Sequence, residues 1–133
     1  MFRLDPAERA TLSALADLLI PAEDGMPAAS AAGVPEGGVD YVLDVRPDLC
    51  GPLVTLLAEA ADEDPCAFLR DLDPEAMAAL GEVVAGAYYL DDRVRVLIGY
   101  HGRRAVPVDE SEEIDPDLLA PVLARGPIFR DAK

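Results

Sequence analysis

At 133 residues the chain is long enough to bury one core and too short for a catalytic domain beside a separate cofactor domain, so a single domain over 1–133 is expected. Eleven basic residues face 26 acidic ones, a formal charge of −15, and this surface would repel both a nucleic-acid backbone and an anionic membrane. The residues are 51% apolar, chiefly alanine and leucine, yet only 5% aromatic, which favours helices over strands, and no apolar run reaches the roughly 18 residues of a membrane span.

The expected fold is all-α: a small helical domain with irregular connections, its core within about residues 5–102, then an acidic loop and an extended C-terminal tail over 103–133. Asp-Pro dipeptides at Asp5-Pro6, Asp64-Pro65, Asp73-Pro74 and Asp115-Pro116 each precede helical apolar spacing and read as helix starts. Aspartate caps an orphan N–H there, and proline loses only a donor that had no partner. Asp5 with Glu8 adds a capping box.

The first helix is predicted over Pro6–Ile20, with Leu12, Leu15 and Leu19 as its apolar stripe and Glu8, Arg9 and Asp17 off it. Pro21 ends it, and a long ordered or semi-ordered connection rich in breakers runs to Pro35. A second helix over Pro35–Val45 buries Val39, Val42 and Leu43. A third, capped by Asp48, carries Leu53, Leu56, Leu57 and Ala60 on one face, and a short fourth holds Cys66, Phe68 and Leu69. The fifth, Pro74 to about Leu90, shows the clearest stripe in Met77, Leu80, Val84, Ala87 and Tyr88. Gly81 and Gly86 cost it roughly 1 kcal/mol each relative to alanine, so close helix packing is the reason expected for them. A brief helix over Asp92–Ile98 is stopped by Gly99. Residues 109–117 carry six acidic side chains and no basic one and read as a solvated loop. Leu118, Leu119, Val122 and Leu123 then form a short apolar face before a semi-extended terminus at Arg125–Arg130.

The cysteines are expected to be free and largely buried. A helix over residues 48–62 would place Cys50 roughly 18 Å from its far end at about 1.5 Å per residue, whereas a disulfide needs Cα atoms within about 7 Å. The N-terminal stretch has no twin arginine, and the apolar run near residues 10–20 is interrupted by Asp17 without a basic approach, so it reads as no export signal and a cytoplasmic location is expected.

The segment from Ala87 to Gly102 gathers three of the four tyrosines and the only histidine. Tyrosine and arginine concentrate at interfaces. Tyr88, Tyr89, Arg93, Tyr100, His101, Arg103 and Arg104 are therefore the candidate partner surface, the alternative for the tyrosines being that their rings close the core.

Little else in the sequence points to chemistry. His101 has no hydroxyl or thiol neighbour nearer than Ser111, which argues against a catalytic triad, and no catalytic residue is assigned. One histidine and two separated cysteines make no zinc set, and the acidic run lacks the ligand order of a calcium loop. Gly33-Val-Pro-Glu-Gly-Gly38 follows no predicted strand and spells neither a dinucleotide loop nor a P-loop, so neither metal nor cofactor is expected in this chain.

Several segments in order resemble the gluconate 2-dehydrogenase small-subunit (subunit 3) family: Leu12-Ser-Ala-Leu-Ala-Asp-Leu-Leu-Ile-Pro-Ala-Glu-Asp-Gly25, Ser30-Ala-Ala-Gly-Val-Pro35, Asp40-Tyr41-Val42, Ala87-Tyr-Tyr-Leu-Asp-Asp-Arg-Val94 and Gly99-Tyr-His-Gly102. The resemblance implies a noncatalytic companion of a large flavoprotein of the glucose-methanol-choline oxidoreductase class, acting on sugars, sugar acids or related alcohols, with FAD held by that partner. Many members of the family carry a twin-arginine signal. This sequence departs from them there, which favours a cytoplasmic two-subunit oxidoreductase. A stand-alone small-molecule binding or regulatory module near Tyr88, Tyr89 and Tyr100 is the alternative.

Overall fold

The computed structural model describes residues 2–103, 105 and 116–128. The chain divides into two compact units, Met1–Gly102 and Arg103–Lys133. Among the described residues there are seven α-helices and no strand, so the protein is all-α. No described helix is long and apolar enough to cross a membrane.

In the first unit, α1 (Pro6–Leu19) starts as its sequence dictates: the Asp5 carboxylate accepts from the Glu8 N–H at 2.8 Å and the Glu8 carboxylate from the Asp5 N–H at 2.7 Å. Leu12, Leu15 and Ala16 are buried, and Leu19 packs at the edge of the core. The helix ends one residue early, with Ile20 as its C-cap. The connection that follows is ordered and tied back to α1. Asp17 accepts from both the N–H and the hydroxyl of Ser30 at 2.7 Å, and Ala29, fully buried, donates its N–H to Ile20.

The expected second helix begins differently. Val34–Gly38 forms a π-turn in which Glu36 leaves helical geometry (φ −109°, ψ −111°), and α2 proper is Val39–Val45. One proline and two glycines within 34–38 disfavour a regular i→i+4 ladder, so side chains help satisfy the backbone. Arg9 does this. Its guanidinium donates to the carbonyls of Pro35 (2.8 Å) and Glu36 (2.9 Å) and to the Asp40 carboxylate (2.7 Å), so a residue placed off the apolar stripe fastens α1 to the start of α2. Arg3 adds Asp40 and Asp44 to the same network. Val39 and Leu43 are buried as expected, whereas Val42 is only partly so.

A 3-10 turn (Pro47–Leu49) leads into α3 (Cys50–Ala60), whose Leu53, Leu56, Leu57 and Ala60 all enter the core. Asp48 does not cap it. Arg46, two residues earlier, takes that carboxylate at 2.7 and 2.9 Å and holds its pKa below the usual carboxylate range. Helix α4 (Pro65–Asp71) is capped by Asp64, which accepts from the Ala67 N–H at 2.9 Å. Phe68 and Leu69 rest on the core without full burial. Both cysteines are free, but neither is buried as expected: Cys50, at the start of α3, is half-buried against the core, and Cys66 is exposed because the two-turn α4 turns Phe68 and Leu69 inward instead.

Helix α5 (Pro74–Tyr88), capped by Asp73, is the longest described. Leu80, Val83, Val84, Ala87 and Tyr88 are buried, while Met77 at the exposed first turns is only half-covered. Of its two glycines, Gly86 fits the close-packing expectation, with Val42 3.3 Å from where a Cβ would stand. Gly81 does not, since nothing lies within 4 Å. Helix α6 (Asp92–Leu97) closes the first unit's helices. In the second unit, α7 (Pro116–Arg125) begins at the fourth Asp-Pro and takes in Pro116 and Asp117, the last two residues of the acidic stretch expected as a loop over 109–117, while 109–115 lie outside the described residues.

Candidate functional site

The tyrosines divide between core and surface at the end of α5. Tyr88 is 3% exposed and its hydroxyl donates to the Pro27 carbonyl at 2.8 Å, so its ring closes the core and belongs to no accessible surface. Burial first, then the neighbouring Tyr89 and Asp91, raises its pKa above the usual phenol value. Tyr89 is the C-cap of α5 and 53% exposed, its ring edge-on to that of Tyr88 with centroids 5.5 Å apart. The buried tyrosine thereby sets the pose of the exposed one.

Asp91 then starts α6 by accepting from the N–H groups of Arg93 (2.8 Å) and Val94 (3.1 Å). The Arg93 guanidinium beside it, foremost, keeps the Asp91 carboxyl below its ordinary range. Arg93 also donates to the Ala31 carbonyl at 2.6 Å, which joins α6 to the connection after α1. Arg95 pairs with Asp92 in the same helix.

A helix of six residues that plants one side chain inward must leave others out. Val94 is fully buried, and Val96, about 200° further round, is exposed together with Leu97 and Ile98. The stop is a Schellman motif: Gly99 takes φ +75°, its N–H donates to Val96 O at 3.0 Å and the Tyr100 N–H to Arg95 O at 2.8 Å. That closure fixes where Tyr100, 53% exposed, leaves the backbone. His101 and Arg103 are exposed as well, and Arg104 lies outside the described residues.

The result is a set of exposed apolar side chains around the end of α6, with hollows lined in part by its Arg93, Leu97 and Arg95. One, of about 450 Å³, lies between Arg93 and Leu97 and the 22–27 loop. The other, of about 510 Å³, is lined by Tyr41, Leu90 and Arg95 among others. Tyr41, Leu90, Val96, Leu97 and Ile98, none of which the sequence reading placed on the partner surface, are also exposed. Three consecutive apolar residues in one helical turn are a signal for this, because no helix buries all three against one neighbour.

Removing the Asp91 side chain should loosen this surface. Asp91→Ala is expected to cost about 1 kcal/mol through the lost cap. Because the folded carboxyl is held low, its contribution is present above the unfolded value of ~3.9 and is lost as pH falls through the lower folded one. Urea unfolding at pH 7 and pH 3 should show the wild-type advantage over the variant shrinking at the lower pH. An equal gap at both would refute it. No family model, curated protein or solved structure matches this chain.

Proposed function

We propose that this chain is a noncatalytic small subunit of a flavin-dependent oxidoreductase of the glucose-methanol-choline class acting on sugars, sugar acids or related alcohols, with FAD in the large subunit and the complex in the cytoplasm. The resemblance to the gluconate 2-dehydrogenase small-subunit family supplies the partner's class. The observation that carries a partner-binding role is the set of exposed side chains Tyr89, Leu90, Val96, Leu97, Ile98 and Tyr100, joined by the arginines of α6. Exposed apolar side chains gathered around one short helix cost solubility unless something covers them, and aromatic and arginine side chains are the usual energetic centre of such a contact.

The test is coexpression with a glucose-methanol-choline-class flavoprotein from the same source, followed by titration of the purified subunits. Tyr89→Ala and Tyr100→Ala should each weaken association by more than about 1 kcal/mol while the isolated chain keeps its fold. Unchanged affinity for both variants removes these side chains from the interface, and failure of the wild-type chain to associate or to change flavin loading sinks the subunit reading. A stand-alone binding module is the second reading, favoured by the hollow beside Tyr41, whose size suits a small ligand. It predicts a thermal shift with a small molecule in the absence of any protein partner.

A further inference from the structure

Helix α7 presents a second apolar face that is separate in sequence from the exposed side chains of α6. Leu118, Leu119, Val122 and Leu123 fall within an arc of about 140° at 100° per residue. All four are exposed, Leu118 at 72% and Leu123 at 75%. Ala120 lies outside that arc, about 60° beyond Leu123. Ten residues make a marginal helix in water, and Pro121 within it withdraws one ladder donor, so local propensity alone holds α7 weakly. Covering the leucine face would both stabilise the helix and remove its apolar surface from water.

Charge decides what can cover it. The chain carries −15, and the sequence from Asp109 to Asp117, ending in the first turn of α7, contributes six carboxylates with no basic residue. A second copy would bring the same acidic sequence alongside the first, and an anionic lipid surface would meet the same repulsion. A protein groove with apolar walls and a basic rim meets neither penalty and accepts an amphipathic helix by the i, i+1, i+4, i+5 pattern seen here.

We infer that α7 is a docking helix for such a groove on the flavoprotein subunit, an inference that rests on the subunit reading above. The experiment is titration of that flavoprotein with the full-length chain, its Leu118→Ala/Leu123→Ala variant and an Ala120→Glu control, with circular dichroism and thermal melts verifying the first unit. Alanine keeps helix propensity while removing the face. The double variant should bind at least tenfold more weakly, the control should bind as wild type, and raising NaCl from about 50 to 300 mM should weaken wild-type binding. Equal binding by the double variant while the wild type binds overturns the docking helix and leaves the subunit reading intact. No complex with the wild-type chain overturns both. Wild-type dimers in sedimentation, or binding to phosphatidylserine vesicles, that the double variant loses would assign the face to a copy or to a membrane and overturn the groove.

Discussion

Leu80→Ala is expected to destabilise the first unit by about 2–5 kcal/mol, the cost typical of deleting a fully buried leucine and leaving a cavity. Leu80 has no exposed surface and sits midway along α5, within the buried cluster to which α1, α2 and α3 also contribute. A site surrounded by several helices cannot collapse by moving one of them, which places the cost toward the upper part of that range. Met77, three residues earlier on the same stripe, is only half-buried, so Met77→Ala should cost clearly less. Urea unfolding followed by helical ellipticity measures both. A Leu80→Ala loss below about 1 kcal/mol, or equal losses at the two positions, would contradict a core centred on α5.

The contrast between those two residues shows what periodicity carries and where it stops. Helix starts were legible because capping is local: Asp5, Asp64 and Asp73 need only the N–H groups of the next three residues. Asp48 has the same side chain, but Arg46 competes for it, and a propensity cannot register such a competitor. The π-turn at Val34–Gly38 escaped for a related reason, since its carbonyls are satisfied by Arg9 from about 27 residues away. Burial within a stripe was legible at Leu12, Leu15, Leu80, Val84 and Ala87, and overstated at Leu19 and Met77, each at the end of its stripe where less of the core surrounds it.

At the candidate surface the sequence located the segment without sorting its side chains. Adjacent tyrosines at a helix end point roughly 100° apart, so the pattern alone does not say which of Tyr88 and Tyr89 enters the core. Which one entered was decided by the Pro27 carbonyl, brought near by a connection whose path no local pattern encodes. The exposed Val96, Leu97 and Ile98 were readable in principle, because hydrophobicity spread around a single turn exceeds what one neighbouring helix can cover.

Gly38→Ala is expected to destabilise the first unit by about 1–3 kcal/mol, although alanine is the better helix former. Gly38 has ordinary right-handed geometry (φ −63°, ψ −52°), so backbone freedom is not the reason for a glycine there. Contact is. A Cβ would stand 3.0 Å from the Ala87 Cβ, 3.1 Å from the Gly33 carbonyl oxygen and 3.3 Å from the Ala87 carbonyl oxygen. Two of the three are backbone atoms, and Ala87 is a buried residue of α5, so none can swing away as a long side chain would. Relief would have to come from shifting α2 off α5, which disturbs the packing of Val39 and Leu43 and the hollow that Gly38 shares with Tyr41 and Leu90. Gly37→Ala is the matched control, since nothing lies within 4 Å of its Cβ position, and its stability should stay within about 1 kcal/mol of wild type. Gly38→Val should cost more than Gly38→Ala, because it adds two further methyls in the same gap without the helix-propensity gain. If Gly38→Ala instead unfolds at the same denaturant midpoint as Gly37→Ala, the close approach of α2 to α5 is not holding the first unit together, and the placement of Tyr41 beside α6 loses its physical basis.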